Sequence, residues 1–156
     1  MPDTDKLNGC SDLYLVRYRQ GPDLDDLSVW VRSAKAVPFA NADSTGHQDV
    51  DQILSGRTAI LSTDDDPLFR VDFENFLAAH LVKRSYAARE KDENFALRIR
   101  EYGSSRLKQY ALETTDYDTV WPEEPVRHFG LITFELVINV LCVAPPKVRI
   151  VPNDEA

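Results

Sequence analysis

A chain of 156 residues with 43% hydrophobic side chains is long enough to bury its own core as one domain without staples. Its 26 acids against 18 bases leave a net charge of −8. That balance argues against nonspecific DNA or RNA binding and against an anionic membrane surface, and is compatible with a basic protein partner. Cys10 and Cys142 are too few for a secreted disulfide framework and read as reduced thiols of a cytoplasmic protein. The start, MPDTDKLNGCSD, has no apolar stretch of a signal peptide.

In chain order, Leu13–Arg19 and Leu27–Arg32 are short β-rich runs separated by Gly21-Pro22-Asp23 and Asp25-Asp26, which reads as a hairpin. Trp30 stands opposite Leu27, Val29 and Val31, so its face is either covered or a contact surface. Asn41–His47 reads as loop, Asp49–Leu54 as a short helix ended by Gly56, and Thr58–Leu61 as a brief strand. Asp64-Asp65-Asp66-Pro67 has the chemistry of a helix start, with acids at the positive end of the dipole and proline in the first turn. Phe69, Phe73, Phe76, Leu77, His80 and Leu81 then keep helical spacing. Asp92–Tyr102 continues helically to Gly103, and Ser104 or Ser105 caps a further helix through Leu112.

The most apolar run is Val126–Val151. Phe129 and Leu131 share one strand face, with His128, Gly130 and Ile132 on the other. From Phe134 the spacing of Val137, Ile138, Leu141 and Cys142 turns helical, whereas the β-branched residues argue for a second strand. We read strand, then a short helix ended by Pro145-Pro146, then Lys147–Val151 as the last strand. Its sixteen residues from Phe129 to Ala144 contain Glu135 and Asn139 and are too few and too polar for a bilayer span of about 20 residues.

The expected fold is a single α+β domain over 1–156. A mainly antiparallel sheet would be built from the N-terminal hairpin and the C-terminal strands, with a central helical segment, Pro67–Leu112, packed on it. Residues 1–11 and 152–156 would be frayed.

No phosphate loop, calcium loop, serine elbow or metal-ligand spacing is present, so no catalytic residue, metal or cofactor is assigned. His47, His80 and His128 lack ligand-spaced neighbours, and His80 and His128 read as satisfied, partly buried histidines. Charge placement says more. Residues Asp43–Glu74 hold eight acids and two bases, Lys83–Lys108 eight bases and four acids, and Ala111–Pro125 five acids and no base. The plain reading of the basic block is solvated helices paired with acids elsewhere. The acidic stretch ETTDYDTVWPEE sets Tyr117 and Trp121 among carboxylates, a composition that suits a protein-binding patch. Trp121 is equally a candidate core plug.

The blocks Trp121-Pro122, Val126-Arg127-His128-Phe129 and Val140–Pro146 resemble the C-terminal part of small bacterial immunity proteins that accompany contact-dependent growth inhibition and other polymorphic toxins. The resemblance implies a non-enzymatic cytoplasmic protein that neutralises a basic toxin domain, often a nuclease, by covering it. The expected partner surface is Asp116, Tyr117, Asp118, Trp121, Glu123 and Glu124, extended by Asp64, Asp65 and Asp66. The alternatives are a small enzyme or ligand-binding domain with a histidine–carboxylate pocket, and a regulatory interaction module without a toxin.

Overall fold

In the computed structural model, which describes residues 2–38, 46–47, 58–89, 94–117 and 125–155, alternation of inward apolar and outward polar residues builds two antiparallel sheets. The first joins β1 (Asp12–Gln20), β2 (Leu27–Pro38), β4 (Leu68–Phe73) and β9 (Lys147–Val151) in that order, with β3 (Thr58–Leu61) also on β2. The second has the order β5 (Phe76–Lys83), β8 (Leu136–Cys142), β7 (Arg127–Ile132), β6 (Ile99–Tyr102). Their inner faces share one core: Val29, Val31, Phe69, Val71 and Phe73 from the first meet Phe129, Leu131, Ile138, Val140 and Cys142 from the second.

The expected hairpin is β1–β2, and the strands expected at Thr58–Leu61, Val126–Thr133 and Lys147–Val151 are all present. The central helical segment is corrected. Phe69–Leu81 forms β4 and β5: in Phe69-Arg70-Val71-Asp72-Phe73 the alternation of period two buries the apolar set, and the helical spacing was coincidence. Asn75, at φ 49, turns the chain from one sheet into the other, a conformation asparagine tolerates. Residues 99–102 of the expected Asp92–Tyr102 helix are strand β6, and the short helix expected from Phe134 is strand β8, as its β-branched residues argued. Only the helix capped by Ser105 remains, as α2 (Arg106–Thr114). The sheet arrangement is corrected too: β9 shares a sheet with the N-terminal hairpin, whereas β7 and β8 belong to the opposing one.

Residues 3–8, in the tail expected to fray, form helix α1 (Asp3–Asn8) with Leu7 fully buried in the shared core. Asn8 Oδ1 accepts the N–H groups of Arg98 and Ile99 at 2.9 and 3.0 Å, and Asp3 Oδ2 accepts that of Ile150 at 3.1 Å. The helix therefore ties the β6 edge of one sheet to the β9 edge of the other. At the other end of the chain, Glu155 O accepts a hydrogen bond from Arg17. The helix expected at Asp49–Leu54 lies outside the described residues.

Trp30 is covered rather than a contact surface. It is 4% exposed, with the guanidinium groups of Arg17 and Arg70 stacked 4.3 and 4.9 Å from the ring centroid. Among the described residues, no helix is long and apolar enough to cross a membrane.

Candidate functional site

The outer face of the second sheet is organised in rows set by strand register. Val82, Val137 and Ile132 align across β5, β8 and β7; His80, Asn139 and Gly130 form the next row, completed by Arg100 of β6. The third row is Ala78, Leu141, His128 and Tyr102. Helix α2 packs on this third row, where Ala111 and Leu107 cluster with Leu141, Ala78 and Val126. The first two rows floor a groove of about 410 Å³, walled by residues 84–89, Phe95 and the start of α2, a size within the usual range of small-molecule sites.

Gly130 makes room for one wall. A Cβ there would sit 2.7 Å from Cε2 of Tyr102, so the tyrosine ring lies across β7 only because position 130 has no side chain. That ring stacks on His128 with centroids 4.4 Å apart.

The interior of the groove is apolar and ordered. Ile132 and Val137 are buried, and Val82 and Asn139 are half-buried. His128, 2% exposed, is held from both sides: Nδ1 lies 2.6 Å from Ser105 Oγ and Nε2 lies 3.0 Å from Asn139 Oδ1. With Nε2 facing the Asn139 carbonyl oxygen and Nδ1 facing the Ser105 hydroxyl, both ring nitrogens have a hydrogen-bond partner. Ser105 also caps α2 by accepting the Lys108 N–H at 3.0 Å. The amide of Asn139 is thereby fixed with its oxygen on His128, and among the described residues its Nδ2 has no partner.

Ser105, His128 and Asn139 are the residue types of a hydrolytic triad, yet their placement is structural. The Ser105 hydroxyl is engaged as a helix cap, its backbone is ordinary extended chain at φ −151, ψ 122, and it does not line the groove. The expected satisfied histidine is thus found at His128. His80, expected on a helix stripe, instead stands exposed on β5 at the groove.

The rim is cationic and aromatic. Arg84, Arg89, Arg100 and Arg106 line the groove with His80 and His128, and no Asp or Glu is among its described lining residues. Phe95 lies between two guanidinium groups, those of Arg89 and Arg100, at 5.3 and 5.2 Å. Arg100 is buried, giving Nε to Leu97 O at 2.8 Å and Nη2 to Phe95 O at 3.3 Å. Arg84 reaches Thr133 O at 3.3 Å and Asp12 at 3.5 Å. These arginines belong to the basic block Lys83–Lys108, whose charge was visible in the sequence. What hid the site was the helical reading, which spread them around solvated faces rather than around one cavity.

Of the expected acidic surface, Asp64, Asp65, Asp66, Asp116 and Tyr117 are among the described residues. Asp64, Asp65 and Asp66 lie in the turn before β4, at the first sheet, and do not start a helix. Ser33 explains why the chain loops out there: its N–H donates to Pro67 O at 3.0 Å and its carbonyl accepts from Ser62 Oγ at 2.8 Å. Both ends of the excursion are thus pinned to one residue of β2. Within it, Asp66 accepts the N–H and hydroxyl of Thr63 at 2.8 and 3.0 Å, and the backbone bond holds its carboxyl below the usual range. Asp64 takes Arg32 at 2.6 Å, and Asp65 is exposed.

Asp116 is exposed just beyond α2, on the opposite sheet from that turn, and Tyr117 packs partly buried against the cluster around Leu141. Asp118, Trp121, Glu123 and Glu124 lie outside the described residues. Among those described, no cluster of three or more His, Cys, Asp or Glu residues is placed to hold a metal ion. No protein-family model, curated protein or solved structure matches the chain.

Proposed function

We propose that the protein is a binding module that receives an anionic ligand in the groove on the outer face of its second sheet. The observation carrying this reading is the convergence of four arginines on one cavity of about 410 Å³, in a chain whose net charge is −8. Cations gathered around a partly dehydrated cavity attract an oxyanion more strongly than the same charges scattered in water. The test is thermal unfolding with and without an anion panel of acetate, inorganic phosphate, benzoate and phenyl phosphate. A ligand at ten times its Kd stabilises by about 1.4 kcal/mol, roughly 3–6 °C for a chain of this size. Arg84→Gln with Arg89→Gln should remove the shift. No shift with any probe would mean the cations are already neutralised within the chain, and would end this reading.

A second reading keeps the toxin-immunity proposal, favoured by Asp116 standing exposed beside Tyr117, whose ring is anchored in the α2 cluster. In it, a basic toxin domain docks on Asp116, Tyr117, Asp118, Trp121, Glu123 and Glu124 in the cytoplasm, without catalysis. Charge reversal of Asp116, Asp118, Glu123 and Glu124 to Lys should slow association with a purified basic toxin domain and flatten its salt dependence. Unchanged rates would remove this surface.

A further inference from the structure

Strand β5 lies at the edge of the second sheet, paired only with β8. We infer that this edge is an interface, pairing antiparallel with β5 of a second copy of the chain about a two-fold axis at His80. Strand phase fixes which backbone groups are open. Arg84 N–H donates to Glu135 O at 2.8 Å, so the alternate residues Val82, His80 and Ala78 bond to β8. The N–H and C=O groups of Ala79, Leu81 and Lys83 therefore point away from the sheet, and nothing among the described residues takes them.

The edges at β1, β6 and β9 are protected. Strand β1 has a bulge between Leu15 and Arg17, and its Leu13 O accepts Phe134 N–H at 2.7 Å. Strands β6 and β9 give the N–H groups of Ile99 and Ile150 to side chains of α1. From Ala78 to Lys83, by contrast, β5 has no proline and no bulge, and its one basic residue stands at the end.

The edge is also complementary to itself. An axis at His80 sets Leu81 of each copy opposite Ala79 of the other, large against small. Both residues are exposed, Leu81 by 37%, and they border a cleft of about 270 Å³ shared with Tyr18 and Phe76. Asp25 stands at the start of the edge, its carbonyl accepting Phe76 N–H at 2.9 Å, and Lys83 stands at its end. Both side chains are exposed and have no partner among the described residues. Antiparallel pairing brings Lys83 of each copy to the Asp25 end of the other, and symmetry makes the match twice. A parallel arrangement would set like charges together. The pairing joins two four-stranded sheets into one.

The experiment is sedimentation equilibrium of the full chain over a series reaching roughly 1 mM, so that a millimolar Kd is still read. A monomer–dimer equilibrium is expected. Leu81→Lys, at an exposed position, should fold and weaken the dimer about tenfold or more. Asp25→Lys and Lys83→Glu each place like charges at both ends and should weaken it about tenfold. Mixing these two variants restores opposite charges at both ends and should recover association as a heterodimer. His80→Cys should cross-link under mild oxidation, because a non-hydrogen-bonded pair has Cα atoms about 4.5 Å apart, within disulfide reach. Val82→Cys lies off the axis and should not. A monomer at every concentration would overturn the interface, as would a dimer unaffected by Leu81→Lys or, should that variant not fold, by either charge change. A mixture no tighter than its separate variants would overturn the antiparallel two-fold. Equal cross-linking at positions 80 and 82 would overturn the register.

Discussion

Ser105→Ala separates a helix cap from a site relay, because one hydroxyl serves both. The oxygen accepts the Lys108 N–H at 3.0 Å, and loss of such a cap costs about 1 kcal/mol. The same hydroxyl satisfies Nδ1 of His128 at 2.6 Å, and with that ring 2% exposed, an orphaned ring nitrogen adds about 1–3 kcal/mol. The expected total is about 2–4 kcal/mol, or a fall in Tm of roughly 4–16 °C. Ser104→Ala is the matched control: the residue is exposed, and its change should stay within about 0.5 kcal/mol. Ser105→Thr retains the hydroxyl and should recover most of the loss. Urea unfolding of the three variants measures the differences, and nitrogen chemical shifts of His128 report whether its tautomer has changed. Equal stability of the Ser104 and Ser105 alanine variants, with an unaltered His128 tautomer, would refute both roles.

Gly130→Ala places a Cβ 2.7 Å from Cε2 of Tyr102; it should cost about 1–3 kcal/mol, and less in a Tyr102→Ala background, as a double-mutant cycle by urea unfolding will show. Burial pushes the Cys142 thiol up to about 11, so at pH 8 a disulfide reagent should titrate Cys10 readily and Cys142 only after unfolding. Burial alone would raise the Asp72 carboxyl, but hydrogen bonds from Ser28, Arg149 and Arg70 outweigh it and hold the group below its ordinary value. A depressed carboxyl contributes stability that is complete above its unfolded value and lost as pH falls through its folded one. Asp72→Asn should therefore lose stability at pH 7 and show a flatter decline below about pH 4 in acid unfolding; an acid limb identical to that of the unaltered protein would show that Asp72 does not contribute.

The strand pattern was legible where one face is apolar and the other is not. Phe129 and Leu131 against His128, Gly130 and Ile132 divide in the structure as they do in the sequence, into the shared core and the outer face. The pattern failed where both faces are covered. In β8, Val137 and Leu141 lie under the groove and α2 while Ile138, Val140 and Cys142 fill the core. A continuous apolar run results, and it carries no period. In β4 and β5 the aromatic spacing of Phe69, Phe73 and Phe76 satisfies a helix equally well, and only the connection at Asn75 and the pairing with β2 and β8 decide. Those are long-range pairings, which no local window contains. The same limit hid the groove: His80, Arg100 and Asn139 are far apart in sequence and meet only through register.

That register also explains why the cavity exists. Helix α2 has nine residues and packs against Ala78, Leu141 and Val126, so it lies across the strands at one end of the outer face. A helix is about 10 Å across, whereas the seven residues of β8 extend roughly 23 Å. One short helix therefore covers less than half of the strand's length. The part it covers is the third row, with apolar Leu141 beneath it; the part it leaves is the two rows holding Val82, Val137, Ile132, His80 and Asn139. A bare apolar row would be a liability in water, and arginine-bearing segments 84–89 and 94–100 rise around it rather than a second apolar helix. Covering by arginine-bearing segments instead of a packed helix leaves a volume of about 410 Å³ that a ligand of opposite charge can fill. Filling it should slow hydrogen exchange along β5 and β8 while leaving β1 and β2 unchanged; equal protection of both sheets would mean that the probe acts on the whole fold and not at the groove.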